Sequence, residues 1–156
     1  MWWNSVWGNL LLTFLVAMVP IVELRGAIPF GVARDLDLWA AIAAAVLGNL
    51  LPVPFIILFI RNIFAWLRKR HSRLNDLVNR LEARAEGKEE TVRRYAFWGL
   101  VILVAIPLPG TGAWTGALVA AMMDMRLKKA FPAIALGVVI AAVIVSVITY
   151  GATVVF

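Results

Sequence analysis

The stretch "VELRGAIPFG", residues 22–31, places an acid and a base two positions apart inside a long apolar run. Pro20 precedes Glu23 and Arg25, and Pro29 follows them. Proline interrupts a helix because it lacks an amide donor, and ionisable side chains are costly in lipid. The stretch therefore predicts a break inside the apolar run, and this break decides how the rest of the chain folds.

The composition predicts an integral membrane protein. Of the 156 residues, 63% are hydrophobic and 15% are charged, and the mean hydropathy is +0.89. One water-soluble domain of this length cannot bury that much apolar surface. The first twenty residues have no Lys or Arg and no small-residue cleavage site. We therefore expect them to form the first membrane segment rather than a signal peptide.

The usual signatures of an enzyme are missing from the sequence. The chain has no Cys, and its single His71 lies between basic residues. A metal site of the common His and Cys type needs a second ligand of this kind. The sequence also has no Ser, His and Asp set at a plausible membrane depth and no glycine-rich phosphate loop. We expect no enzyme activity, no cofactor and no metal site.

Four apolar stretches follow one another, at 9–33, 38–60, 96–123 and 130–156. A straight crossing of a bilayer needs about 20 apolar residues. The second and fourth stretches meet this need and predict crossing helices. The first is broken by "PIVELRGAIP" and the third by "IPLPGTG", residues 106–112. Each remaining arm has about 11–13 residues and a helical length of about 16–20 Å, which reaches only the midplane.

The positive charges choose between two topologies. If both broken stretches cross fully, the insert 61–94 and the loop 124–129 lie on opposite sides. If both are re-entrant hairpins, 13 of the 15 Lys and Arg residues share one side, and only Arg25 and Arg34 do not. The positive-inside rule favours the second topology. It predicts a cytoplasmic insert and both chain termini outside.

This topology predicts one all-α membrane domain built from two inverted repeats. Each repeat is a re-entrant helical hairpin followed by a transmembrane helix, at 9–60 and at 96–156, and the insert 61–94 joins them. The two repeats are weakly similar in sequence: "LWAAIAAAVLGNLL", which begins at Leu38, aligns with "AFPAIALGVVIAAV", which begins at Ala130. Inverted repeats with broken helices are typical of secondary transporters, which bind their substrate near the midplane.

The motifs "ELRGAIP", "GNLLPVPF" and "IPLPGTGAWTGALVAAMM", with the basic loop after them, resemble the small multidrug export protein family of bacteria and archaea. That family is similar to the broader DedA-type (SNARE-associated, VTT-like) membrane proteins. The resemblance covers most of residues 18–150 and implies a multi-pass protein of a prokaryotic cytoplasmic membrane. It also implies two re-entrant loops in inverted repeats, which move lipid carriers such as undecaprenyl phosphate or support proton-coupled drug and pH tolerance.

Two departures from the DedA-type pattern limit what the resemblance implies. That pattern resembles P-G-x-R-T where this chain has Pro109, Gly110, Thr111 and Gly112. It also tends to have Asp where this chain has Asn49. Neither the arginine nor the acid of that pattern therefore transfers to this sequence.

Glu23 is the candidate for proton coupling, because an ionisable group near the bilayer centre is costly to keep there. Desolvation favours its neutral form and the neighbouring Arg25 favours its charged form. A carboxyl group balanced in this way changes protonation when a cavity opens to one side or the other. The alternative is structural: Glu23 pairs with Arg25 or neutralises the N-terminal end of the returning half-helix.

Arg25 is the candidate for anion recognition, because a guanidinium group binds a phosphate through two hydrogen bonds. Helix N-termini at the midplane would add amide donors. Gly110 and Gly112 would let a headgroup approach the backbone, and Thr111 and Thr115 would donate hydroxyl hydrogen bonds. The alternative is that these glycines only permit tight hairpin packing.

Asn49 is the candidate polar residue of the second apolar stretch. Pro52 and Pro54 leave the carbonyls of Gly48 and Leu50 without their usual donors. These unpaired carbonyls would form a polar site next to Asn49. Such a site would line a cavity, let the helix flex or only mark a structural kink.

The insert 61–94 contains ten Lys and Arg residues and five Asp and Glu residues. Apolar side chains recur in it at helical spacing, namely Leu67, Leu74, Leu77, Val78, Leu81 and Ala85. The pattern predicts a basic amphipathic helix broken near Gly87, with anionic lipid headgroups and a second copy of the chain as partners. A plain solvated helix is the alternative. Nucleic acid is not expected, because membrane segments flank the insert on both sides.

These residues together favour a small transporter that exports amphiphilic substrates, with proton coupling at Glu23. The alternatives are a flippase for a polyisoprenyl phosphate or another anionic lipid, and a non-transporting membrane scaffold that uses its basic insert. A polar cavity that reaches the midplane would distinguish a transporter from a scaffold.

The topology can be tested with cysteines, because the chain has none of its own. We expect a cysteine at Asp37 to react with a membrane-impermeant maleimide from outside the cell, and a cysteine at Lys128 to react only from the cytoplasmic side. Labelling of both positions from the same side would exclude the inverted repeats.

Overall fold

The computed structural model describes residues 5–70, 76, 89–108 and 111–155, and every regular element in these residues is a helix. In chain order the helices are α1 Val6–Met18, α2 Glu23–Ala33, α3 Leu38–Leu50, α4 Pro52–Arg70, α5 Glu89–Ala105, α6 Ala113–Met122 and α7 Leu127–Val155. The segments Leu38–Ile63 and Leu127–Ala152 are long and apolar enough to cross a membrane. The expected all-α fold is confirmed in the described residues.

Both apolar runs are interrupted, but the first break lies at residues 19–22, at the start of "VELRGAIPFG" rather than within it, because Pro29 lies inside α2 and does not end it. The first run is interrupted after Met18, and a turn through Pro20 leads into α2 at Glu23. The second is interrupted after Ala105, and α6 begins at Ala113. Because α1 packs against α2 and α5 against α6, each broken run folds as a helical hairpin. We call these the first hairpin (α1 and α2) and the second hairpin (α5 and α6).

The two hairpins end in the same kind of turn, at positions 89 residues apart. Asp35 and Asp124 adopt left-handed backbone conformations, with φ of 61° and 54°. The amides of the next residues, Leu36 and Met125, donate to the carbonyls five residues earlier at 3.1 and 2.9 Å. This is the Schellman pattern, which satisfies the last carbonyls of a helix. The turns that lead from the two hairpins into α3 and α7 are therefore equivalent, at a spacing of 89 residues.

The helices after these turns are buried in the same pattern. Buried positions in α3 are Ala41, Ala44, Ala45, Gly48 and Asn49, and those in the first half of α7 are Ala130, Ala133, Ile134, Gly137 and Val138. Each position again differs from its counterpart by 89 residues. The structural match therefore pairs Leu38 with Leu127, and the expected pairing of Leu38 with Ala130 is wrong by three residues.

A glycine brings each long helix close to the first helix of its hairpin. At Gly48 in α3, an added Cβ would collide with the Phe14 carbonyl oxygen of α1. At Gly137 in α7, it would lie 2.7 Å from the Cβ of Val104 and 2.9 Å from the carbonyl oxygen of Val101, both in α5. Small residues allow such close approach in membrane proteins, where packing replaces the hydrophobic effect.

The two prolines of the second apolar stretch lie at the joint between α3 and α4. The first of these helices ends at Leu50, and Pro52 is the first residue of the second. Proline suits this position, because its missing amide would have no helical partner there. Leu51 still donates to the Leu47 carbonyl at 3.1 Å. The joint therefore interrupts the long segment without separating its two halves.

The insert 61–94 is described only at its ends and at position 76. The helix α4 continues to Arg70, and α5 begins at Glu89. Most of the apolar stripe and the expected break near Gly87 lie outside the described residues. The amphipathic basic helix therefore stays a prediction.

The close packing of α5 on α7 predicts the effect of one added methyl group. We expect Gly137→Ala to lower the free energy of unfolding by about 1–3 kcal/mol, because its Cβ would overlap α5. The matched control is Gly151→Ala in the same helix, where an added Cβ meets no atom within 4 Å. This change should be neutral or stabilising by up to about 1 kcal/mol. Equal unfolding curves for both purified variants in detergent would contradict the packing.

Candidate functional site

The turns of the two hairpins are in contact. Glu23, which follows the turn of the first hairpin, lies against the start of α6 in the second. This residue is 3% exposed, and its carboxylate accepts a hydrogen bond from the backbone amide of Trp114 in the first turn of α6. The amides at a helix N-terminus have no helical partners and favour a negative charge. Glu23 therefore caps a helix of the other hairpin.

Gly112 lies directly against this carboxylate. A Cβ added at Gly112 would lie 2.6 Å from the Cδ of Glu23, and the φ of Gly112 is 133°. Glu23 itself has a φ of 50°, a left-handed conformation that costs a non-glycine residue about 1–2 kcal/mol. Glycine would adopt it at lower cost, so the side chain of Glu23, rather than its backbone, explains the acid at this position.

Arg25 binds the other side of the same break, at the end of α5. Its guanidinium group donates to the carbonyls of Leu108 and Ile106, the latter at 3.3 Å. It also donates to the carbonyl and the hydroxyl oxygen of Thr111, each at 2.7 Å. The Thr111 hydroxyl in turn lies 2.6 Å from the Ile106 carbonyl, to which it donates. A cation suits this place, because the C-terminal end of a helix is partially negative.

Trp114 makes the corresponding contact in the opposite direction. It lies 89 residues after Arg25, and its indole nitrogen donates to the Met18 carbonyl at the end of α1 at 3.1 Å. Each hairpin therefore binds the carbonyls at the end of the other hairpin's first helix. We call this contact the tip junction, and its residues are Glu23, Arg25, Thr111, Gly112 and Trp114.

The structure brings together several of the residues singled out in the sequence. Glu23, Arg25, Thr111 and Gly112 all meet in the tip junction. Glu23 and Arg25 interact electrostatically but are not in direct contact as a salt bridge, and their side chains bind opposite sides of the second break. Arg25 is half-buried, and its guanidinium group is already hydrogen-bonded to backbone and to a hydroxyl group.

The remaining candidates lie in different environments. Asn49 is buried in α3, and its side-chain oxygen has no hydrogen-bond partner among the described residues. Thr115 is half-buried in the first turn of α6. Gly110 lies outside the described residues. Phe30 lies under the side chain of Arg34, with its ring centroid 5.5 Å from the guanidinium carbon.

The sequence did not reveal the reciprocal contacts between the hairpins, in which Arg25 binds carbonyls at the end of α5 and Trp114 binds a carbonyl at the end of α1. The turn of the second hairpin, residues 106–112, is longer than that of the first, residues 19–22. An alignment that pairs the hairpins through their prolines therefore loses register after the turn. The useful signal was the pair of short loops that follow, "RDLD" and "MDMR", in which Asp35 and Asp124 lie 89 residues apart.

Comparison with known proteins identifies the family of the chain. A family model described as "Putative small multi-drug export protein" matches residues 23–144. The chain belongs to this family. The match begins at Glu23 and includes the whole tip junction. No curated protein and no solved structure matches the chain. Among the described residues, no group of three or more His, Cys, Asp and Glu side chains is placed to bind a metal ion.

The tip junction can be tested with a double-mutant cycle. We expect Arg25→Met and Thr111→Val each to destabilise the protein by about 1–3 kcal/mol, because backbone carbonyls lose their donors. The double variant should lose at least about 1 kcal/mol less than the two single losses together, since both changes break one network.

The control pairs Arg25→Met with Lys129→Met. Lys129 lies beyond the far end of α6, whose ten residues span about 15 Å. These losses should add within about 0.5 kcal/mol. Unfolding of the purified variants in detergent gives the energies, and additivity in the first cycle would contradict the network.

Proposed function

We propose that this family member is a proton-coupled exporter of amphiphilic compounds, and that the tip junction is its gate. The observation that supports the gate is the buried carboxylate of Glu23 at the N-terminus of α6. One negative charge stabilises the contact between the hairpins there. A proton can remove this charge without changing the shape of the side chain.

We also propose that the two hairpins belong to repeats inverted in the membrane. Glu23 and Gly112 occupy equivalent positions, 89 residues apart, and are in contact. Equivalent residues of two repeats touch each other only near the axis that relates the repeats. In inverted repeats this axis lies in the plane of the membrane, near the depth at which such transporters bind their substrates. The reciprocal contacts of Arg25 and Trp114 support the same axis.

The proposed gate opens when Glu23 takes up a proton. A charge at a partly buried helix N-terminus contributes up to about 2 kcal/mol. Protonation removes this contribution, so α6 separates more easily from the start of α2. Arg25 can stay bound to the carbonyls at the end of α5, which keeps the break of the second hairpin satisfied. The proton therefore acts on one contact and leaves the hairpins intact.

The same carboxylate explains how proton and substrate are exchanged. A cationic amphiphile would be attracted to the charged form of Glu23, and a proton would neutralise it. One carboxylate cannot bind both cations at once, so uptake of the proton releases the substrate. Each export step would therefore move one proton inwards for each singly charged substrate moved outwards.

A flippase for a polyisoprenyl phosphate is the alternative that uses Arg25. The phosphate would have to replace the carbonyls of Ile106 and Leu108 and the oxygens of Thr111 as hydrogen-bond partners. The contacts of Arg25 therefore favour proton-coupled export over the flippase. A scaffold, by contrast, would never need to open the tip junction.

The exporter can be tested by replacing Glu23 with glutamine, which keeps the shape but cannot exchange a proton. In proteoliposomes with an imposed pH gradient, we expect Glu23→Gln to lower the transport of ethidium at least tenfold and to abolish its pH dependence. The matched control is Asp37→Asn, an exposed acid in the loop before α3, which should transport like the wild type. Unchanged transport and pH profile in Glu23→Gln would exclude the proposed coupling.

A further inference from the structure

An apolar groove lies on the second hairpin, away from the tip junction. Its volume is about 360 Å³, and its walls include Tyr95, Gly99 and Leu103 of α5 and Val119 and Met123 at α6. Gly99 is exposed, and an added Cβ there would meet no atom within 4 Å. The glycine therefore leaves room in the groove that a larger residue would fill.

The size and lining of the groove fit a hydrocarbon chain. It extends from Tyr95 to Leu103, about 12 Å along a helix. Its 360 Å³ is more than twice the roughly 150 Å³ of a cavity that binds one benzene molecule. A chain of about twelve carbons has the corresponding size. The lining is almost entirely apolar, so an acyl chain can pack in the groove without burying a polar group.

The lining of the groove includes Met123, which directly precedes a basic segment of the chain. The chain continues from the groove into a loop and the start of α7, where Arg126, Lys128 and Lys129 are exposed. None of these three makes an ion pair with a described residue. The acid of this loop, Asp124, lies 3.2 Å from Arg61, which compensates its charge. The basic segment therefore keeps an excess of positive charge that favours an anionic group.

We infer that this groove binds one acyl chain of an anionic phospholipid of the bilayer, with the headgroup at Lys128 and Lys129. This lipid is not the exported substrate, because the groove does not include Glu23, Arg25 or Asn49. It covers the apolar face between α5 and α6 and fixes the end of the second hairpin at the membrane surface. The site goes beyond the proposed export function and does not depend on it.

The test compares two leucine substitutions at exposed helical glycines. Gly99→Leu fills the groove, and Gly151→Leu adds the same side chain in α7, where an added Cβ also meets no atom within 4 Å. Native mass spectrometry of the protein in detergent counts bound phosphatidylglycerol and phosphatidylcholine. We expect the wild type and Gly151→Leu to bind phosphatidylglycerol at least tenfold more tightly than phosphatidylcholine. Gly99→Leu should weaken phosphatidylglycerol binding at least tenfold.

A second variant tests the headgroup contact without touching the groove. We expect Lys128→Gln with Lys129→Gln to reduce phosphatidylglycerol binding to the level of phosphatidylcholine. Equal binding of both lipids by the wild type, or undiminished phosphatidylglycerol binding by Gly99→Leu, would overturn the inference. It would also be overturned if Gly99→Leu dissociated an oligomer and left lipid binding unchanged, because the groove would then be an interface between copies.

Discussion

The structure depends on how the backbone is satisfied where two apolar helices stop. A helix end has amides and carbonyls without helical partners, and a hydrocarbon environment offers no water to replace them. The first hairpin supplies a carboxylate to the start of α6 and a guanidinium group to the end of α5. The second supplies the indole of Trp114 to the end of α1. Because each break receives donors or acceptors from the other hairpin, the hairpins fold as a pair.

This constraint explains the charged residues in "VELRGAIPFG". The acid lies at a helix N-terminus and the base binds carbonyls at a helix C-terminus, which is the arrangement that helix dipoles favour. It also connects structure with export. A contact stabilised by one buried carboxylate is one that a single proton can weaken, whereas the glycine contacts of Gly48 and Gly137 contain no titratable group. In the proposed export mechanism, opening would occur at the tip junction, while each hairpin stays packed on its long helix.

Departures from ordinary local preferences occur at the tip junction and in α3. Glu23 has a left-handed backbone conformation that glycine would adopt at lower cost, and its carboxylate excludes any side chain at Gly112. Asn49 is buried with an unpaired oxygen among the described residues. Such departures persist where the surrounding structure enforces them and are typical of functional sites. The Schellman turns at Asp35 and Asp124, by contrast, follow the usual rules for helix ends.

The sequence by itself determined the all-helical fold, the presence of a break in each of two apolar runs, and the two long apolar helices. These features depend on local causes, namely proline, glycine and the length of apolar runs. The tertiary structure alone decided that Arg25 binds carbonyls more than 80 residues away and that the turns at Asp35 and Asp124 match at a spacing of 89 residues. Apolar helices of Ala, Leu, Ile and Val fit many registers equally well in sequence. One register is selected only by tertiary contacts. These are the close packing at glycines and the hydrogen bonds that helix ends receive from distant residues.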